Sequence, residues 1–333
     1  MKFIKPLLKL TFVGGLLYLL VLKGFISVEA TTRAFSRPDK IIPGVCILLM
    51  TTLLSIVRWQ WLLQAQGIRM RMGRTFELAM VGNFFNIALP GAVSGDFVKA
   101  FYVAKEVQGH KSRAFGSILF DRVAGLSALL ILAAGALALG HSQIAGSGFF
   151  PAVRILVLLP GVAFLCFYVY LFLVKEHHDP LLKLAKKTEA RYPKFAAFTR
   201  LYEGIRHYHN HRWTVVRGLF LSILIHFGVC VTCTLFLQAL GEESFSPIAI
   251  FIGVPIGLLF TAIPLAPAGV GTGHAAFSWL LHFAGTARGA DVFSLFALTQ
   301  LFIGALGGLV FLRFRKSEPM VEMDAKVASE TAV

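Results

Sequence analysis

Charged and amide side chains set inside long apolar stretches are the first places to look for chemistry, because an ionised group removed from water is retained only with a partner or a task. Asp96 and Lys99 follow a small-residue break, Pro90-Gly91-Ala92-Val93-Ser94-Gly95. Asn83 and Asn86 stand before it, at a spacing that puts both on one helical face. At about 1.5 Å per residue, Arg122 lies about 12 Å along its helix beyond Ala114, too deep for an end residue. Asp121 precedes it, but adjacent helical residues point about 100° apart, so each needs a partner elsewhere. Arg122 has the planar fork that suits bidentate binding of a phosphate, and a buried salt bridge with Asp96 is the plain alternative. Asp96 suits either a helix cap or a cationic group, and the amides after Gly95 suit an anion.

A second break, Pro267-Ala268-Gly269-Val270-Gly271-Thr272-Gly273-His274, repeats the pattern: Pro, two small residues, Val, then small residues ending in a titratable group. Here Thr272 and His274 are the polar candidates, with His274 as a phosphate donor or a satisfied structural histidine. His226 falls near the middle of another apolar run, facing the same interior or simply packed. Arg58, Trp59 and Trp61 read as a helix end with an aromatic belt and snorkelling. The candidate binding set is thus Asn83, Asn86, Pro90, Gly91, Gly95, Asp96, Lys99, Asp121, Arg122, His226, Pro267, Gly269, Gly271, Thr272 and His274. No catalytic residue, metal or cofactor is indicated. Cys230 and Cys233 form a lone CxxC inside an apolar run, and His207, His209 and His211 lack acidic partners.

The elements that must hold these residues are membrane helices. The chain of 333 residues is 56% hydrophobic and 15% charged, with a mean hydropathy of +0.73, outside the balance of a soluble domain. A spanning helix needs about 20 apolar residues. Runs at 8–28, 41–63, 115–139, 152–174, 214–239 and 291–312 meet that need. The regions 76–104 and 248–286 are apolar but broken in the middle, and are expected to be helical hairpins that enter from opposite sides and line a cavity, since exposed backbone at membrane depth requires one. Matching interruptions in two halves mark an inverted repeat. The expected fold is therefore an all-α polytopic membrane protein with six full spans and two opposed re-entrant hairpins, in a single domain over 1–314 and a disordered tail over 315–333.

The formal charge of +15 does not point to nucleic acid, because Lys and Arg lie between apolar runs as topology signals. Basic residues before residue 10, at 69–74, over 175–217 and after 312 put both termini in the cytoplasm of a bacterial inner membrane. The charged loop 29–40 fits that scheme less well. Phe195, Phe198, Tyr202 and Ile205 recur at helical spacing, so 179–212 is expected to lie on the membrane surface with its basic residues toward anionic lipid.

As an ordered set, NFFNIALPGAVSGDFVKAFYVAK, FDRVAG and PLAPAGVGTGHAAF resemble the lysylphosphatidylglycerol synthase transmembrane, or flippase-like, family, which includes the membrane half of the bacterial multiple peptide resistance factor. The resemblance matches Gly95, Asp96 and Lys99 to a Gly-Asp-x-x-Arg/Lys segment, and Asp121 and Arg122 to an acidic-Arg pair. His274 stands about where the family's third segment carries Glu. The resemblance implies a bundle with two opposed hairpins, and translocation of aminoacylated or glycosylated lipids between leaflets. Without an attached transferase domain the chain is not expected to be the synthase. The expected function is a non-enzymatic lipid translocase that binds a membrane phospholipid or glycolipid. The alternatives are a lipid-binding scaffold for a biosynthetic enzyme partner, with homo-oligomerisation open, and a lipid-modifying transferase.

Overall fold

A computed structural model describes residues 28–88, 94–107, 111–140, 150–175, 178–262, 269 and 271–313. The expected span 8–28, the tail, and Pro90, Gly91 and Pro267 fall outside the described residues, apart from Val28. In chain order the helices are α1 Val28–Phe35, α2 Pro38–Ala65, α3 Met72–Ala88, α4 Ser94–Glu106, α5 Lys111–Leu139, α6 Phe150–Leu173, α7 Pro180–Arg191, α8 Ala196–Arg206, α9 Arg212–Ala239, α10 Pro247–Thr261, α11 Thr272–His282 and α12 Gly289–Arg313. The protein is an all-α polytopic membrane protein. Among the described residues, α2, α5, α6, α9 and α12 are long and apolar enough to cross a bilayer.

Local sequence sets the ends of these elements. Pro38, Pro180 and Pro247 open α2, α7 and α10, where proline's missing N–H would have had no helical partner. The 28-residue helices α2 and α9 end alike. Each runs out in Leu-Gln-Ala-x-Gly, at Leu63–Gly67 and Leu237–Gly241, with the glycine at φ +77° and +85°. The Ile68 amide reaches the Leu63 carbonyl and the Glu242 amide the Leu237 carbonyl, at 3.0 and 3.1 Å, the paired closure that a left-handed glycine permits.

The helix pairing has the same duplication. Helices α2 and α9 make the most extensive pairing among the described helices. The hairpin α3–α4 rests against α5 and α12, and the hairpin α10–α11 rests against α12 and α5. Exchanging the two halves leaves this list of neighbours unchanged. Close approach is bought with small residues. A Cβ on Gly95 would meet the Gly82 carbonyl oxygen at 1.9 Å, and one on Gly307 the Met80 carbonyl oxygen at 2.1 Å, so α4 and α12 both lie backbone-to-backbone against α3. Apolar clusters fill the rest, one built around Leu48, Phe236, Ile250 and Phe293, another around Trp59, Leu78 and Val103.

Two expectations need correction. The 29–40 loop is mostly helix: α1 buries Ala30 and Ala34 and pairs its own charges, Arg33 with Glu29 at 3.2 Å. The segment 179–212 is more than a surface layer, because α8 docks on α5 and its last residue, Arg206, bonds to the end of α6. There Asp179 and Arg206 pair at 2.9 Å while fully buried, Tyr170 and Tyr202 donate to the same carboxylate at 2.6 and 2.9 Å, and Arg206 donates to the Leu171 carbonyl at 3.1 Å. That guanidinium caps carbonyls that the end of α6 leaves unsatisfied. Burial alone would raise the Asp179 carboxyl. Hydrogen bonds from Tyr170, the Leu182 amide and Tyr202, with the Arg206 charge, outweigh burial and hold the carboxyl below the ordinary carboxylate range. Phe195 and Phe198 remain exposed.

Candidate functional site

A cavity of about 390 Å³ lies among α2, α3, α4, α5, α9, α10 and α12. Ile225, Val229, Leu258 and Phe296 supply apolar walls, and five charged side chains face it. Ionised groups stay charged in such surroundings only when paired.

The first pair joins α2 to α5. Arg58 donates through Nε to Asp121 Oδ1 at 2.7 Å and through Nη2 to Oδ2 at 3.0 Å, the bidentate fork that guanidinium and carboxylate match. Its Nη1 donates to Ser222 Oγ on α9 at 2.7 Å. One buried arginine therefore ties α2 to α5 and to α9.

The second group joins α4 to α5. Asp96 sits in the first turn of α4 and is 4% exposed. Lys99 meets its Oδ1 at 2.8 Å, and Arg122 donates to its Oδ2 through Nε. Lys99 also lies 4.9 Å above the Trp59 ring, at cation–π distance. Asn86 accepts the Gly95 amide at 2.8 Å, pinning the start of α4 to α3. Ser94 donates to the Phe85 carbonyl at 3.0 Å.

The structure thus brings Asn83, Asn86, Asp96, Lys99, Asp121, Arg122 and His226 around one cavity, with Gly95 at its edge. The Nδ1 of His226 is buried and lacks a hydrogen-bond partner among the described residues. Of the two readings of Arg122, the ion pair with Asp96 is present, and the side chain is still 39% exposed. Arg122 and Asp121 each take a different partner, as their spacing requires.

The second hairpin contributes less. Thr261 lines the cavity, and a Cβ on Gly269 would come within 2.6 Å of it. Thr272 donates to the Gly269 carbonyl at 3.1 Å. His274 lies outside the cavity lining. Its Nδ1 accepts from the Gly271 amide at 3.3 Å and its Nε2 meets Ser294 Oγ at 3.1 Å. Because the Ser294 hydroxyl donates to the Ala290 carbonyl, this arrangement suits a neutral ring with its proton on Nε2. Its ring stands edge-on to Phe293, with centroids 4.7 Å apart.

Sequence reasoning missed Arg58. Read as a snorkelling end residue beside an aromatic belt, Arg58 is 7% exposed and Trp59 is 2% exposed, and Trp59 donates to Ser117 Oγ at 3.3 Å. The signal was available in the argument used for Arg122: α2 runs on to Ala65, about 10 Å past Arg58 at 1.5 Å per residue. The hydroxyls of Thr51, Thr52 and Ser55, one and two turns before Arg58 on α2, were missed as well.

The model of one protein family, described as the lysylphosphatidylglycerol synthase TM region, matches residues 7–310. No curated protein and no solved structure matches the chain.

Proposed function

We propose, on the premise that this chain belongs to the lysylphosphatidylglycerol synthase TM-region family, that it is a lipid translocase of the bacterial inner membrane, with both termini cytoplasmic. The observation that carries this reading is the charged cavity inside the apolar bundle. A polar head group needs such a compartment to cross hydrocarbon, while its acyl chains stay among lipid.

In this reading α3–α4 and α10–α11 are re-entrant hairpins entering from opposite faces. At 1.5 Å per residue the 17 and 15 residues of α3 and α10 extend about 26 and 23 Å, short of a hydrocarbon core of about 30 Å. The exchangeable helix pairing and the repeated Leu-Gln-Ala-x-Gly ends support an inverted repeat, whose two hairpins alternate in opening the cavity to either side. The chain moves lipid rather than modifying it: Asp96 and Asp121 are both engaged by cations, which leaves neither carboxylate set up as a general acid or base.

The test is leaflet accessibility of head-group-labelled phospholipid in vesicles containing the purified protein. Labelled lipid is expected to exchange between leaflets faster than in empty vesicles. Exchange no faster than empty vesicles across several lipid classes would end the proposal.

A further inference from the structure

The charges that line the cavity do not balance. Arg58, Lys99 and Arg122 bring three positive charges, and Asp96 and Asp121 bring two negative ones. Asp121 is taken on both oxygens by Arg58. Asp96 already has a cation on each oxygen, Lys99 on one and Arg122 on the other. One positive charge is left over. Residues 89–93 and 263–268, between α3 and α4 and between α10 and α11 in the chain, hold no ionisable side chain in their sequence. The other carboxylates of the first hairpin, Glu77 and Glu106, are held by Arg74. The two cations that share Asp96 are 13% and 39% exposed, so the excess charge is open to the cavity and attracts an anion that enters it.

The uncharged lining has its own polarity. Thr51 and Thr52 donate to the Leu48 carbonyl, Ser55 to Thr52 and Thr261 to Leu258, at 2.7 to 2.9 Å. Each hydroxyl proton is used within its own helix, so these four oxygens are left as acceptors. Acceptors receive the hydroxyl protons of a polyol.

We propose that this cavity takes a monoanionic phosphodiester whose distal group is uncharged and bears hydroxyls, and that it discriminates against ammonium-bearing head groups. The inference rests on the reading above for the statement that the ligand is a lipid. A single negative charge neutralises the site. A second, as on a phosphomonoester, overshoots it, and an ammonium group enters a site already in positive excess and finds a carboxylate only by breaking an ion pair. Aminoacylated lipids, whose heads carry an extra cation, are therefore the poorest fit.

The experiment offers the purified full chain equal amounts of phosphatidylglycerol, phosphatidylethanolamine and lysylphosphatidylglycerol in mixed micelles, and counts retained lipid by native mass spectrometry. Phosphatidylglycerol is expected in at least about tenfold excess over either amine lipid, the size of one charge-assisted contact. Lys99→Gln and Arg122→Gln each leave Asp96 one cation and bring the lining to neutrality, so both keep the fold, and at least one is expected to bring the excess close to parity. Equal or greater retention of an amine lipid by the unmodified chain overturns the inference, as does an undiminished excess in both variants. Displacement of the lipid by an equal concentration of water-soluble glycerophosphoglycerol overturns the assignment to a lipid. Intact selectivity without leaflet exchange would defeat the translocase reading and leave this inference standing.

Discussion

Arg58 and Asp121, sixty-three positions apart in the chain, meet in a two-point bond of 2.7 and 3.0 Å beside a cavity lined by both polar and apolar side chains. This bond joins α2 to α5, the helix carrying Arg122, so it holds the polar lining in register. Removing one member leaves the other charged and buried. Arg58→Met and Asp121→Leu are each expected to lower stability by about 3–5 kcal/mol, while the double variant, with no stranded charge, recovers most of the loss. Thermal unfolding in detergent, run as a double-mutant cycle, measures this. Additive losses would show that the two side chains act independently.

Gly95 is fixed by distance. A methyl group there would overlap the Gly82 carbonyl at 1.9 Å and force α4 off α3, carrying Asp96 with it. Gly95→Ala is expected to cost about 1–3 kcal/mol. Gly73, on the same hairpin with nothing within 4 Å of an added Cβ, is the control: Gly73→Ala is expected to shift stability by less than about 1 kcal/mol. Comparing the two melting temperatures checks the packing claim.

Asp179 gives the α7–α8 segment a defined pH dependence. Its folded carboxyl titrates lower than the ordinary value of about 3.9. Its contribution is therefore complete above that value and is lost as pH falls through the depressed folded one. Acidification below about pH 4 is expected to loosen α7 and α8 before the long helices. Limited cleavage between 180 and 206 by an acid-tolerant protease would report it. Asp179→Asn should make the same segment labile at neutral pH and flatten its acid response.

His274 is expected to matter for stability rather than for binding. Its two nitrogens are used by Gly271 and Ser294, so His274→Ala should cost about 1–3 kcal/mol by stranding those groups. Lipid retention per folded molecule is expected to stay within about twofold, a shift well under 1 kcal/mol. A selective loss of retention with unchanged melting would place His274 in the binding surface after all.

The large features were legible in the sequence because they follow from apolar length. Five of the expected spans correspond to helices among the described residues, and both interrupted regions form helix pairs. Asp96, Lys99 and Arg122 were legible because ionised groups in apolar runs must find partners. What sequence concealed was depth and direction. Arg58 looked terminal because the apolar run ends before the helix does, and only the glycine closure at Gly67 marks the true end. The repeated Leu-Gln-Ala-x-Gly was visible in the letters, but its meaning depends on both glycines adopting the same left-handed turn. The Asp179 and Arg206 pair was hidden in a basic segment whose average composition suggested a surface.

The hairpin of each half leans on the final helix of the other, α3 on α12 and α10 on α5. Each half, produced alone, would lack the wall that the other supplies, α12 for α3 and α5 for α10. Two separate polypeptides, one for each half, would have to be made together to rebuild the molecule.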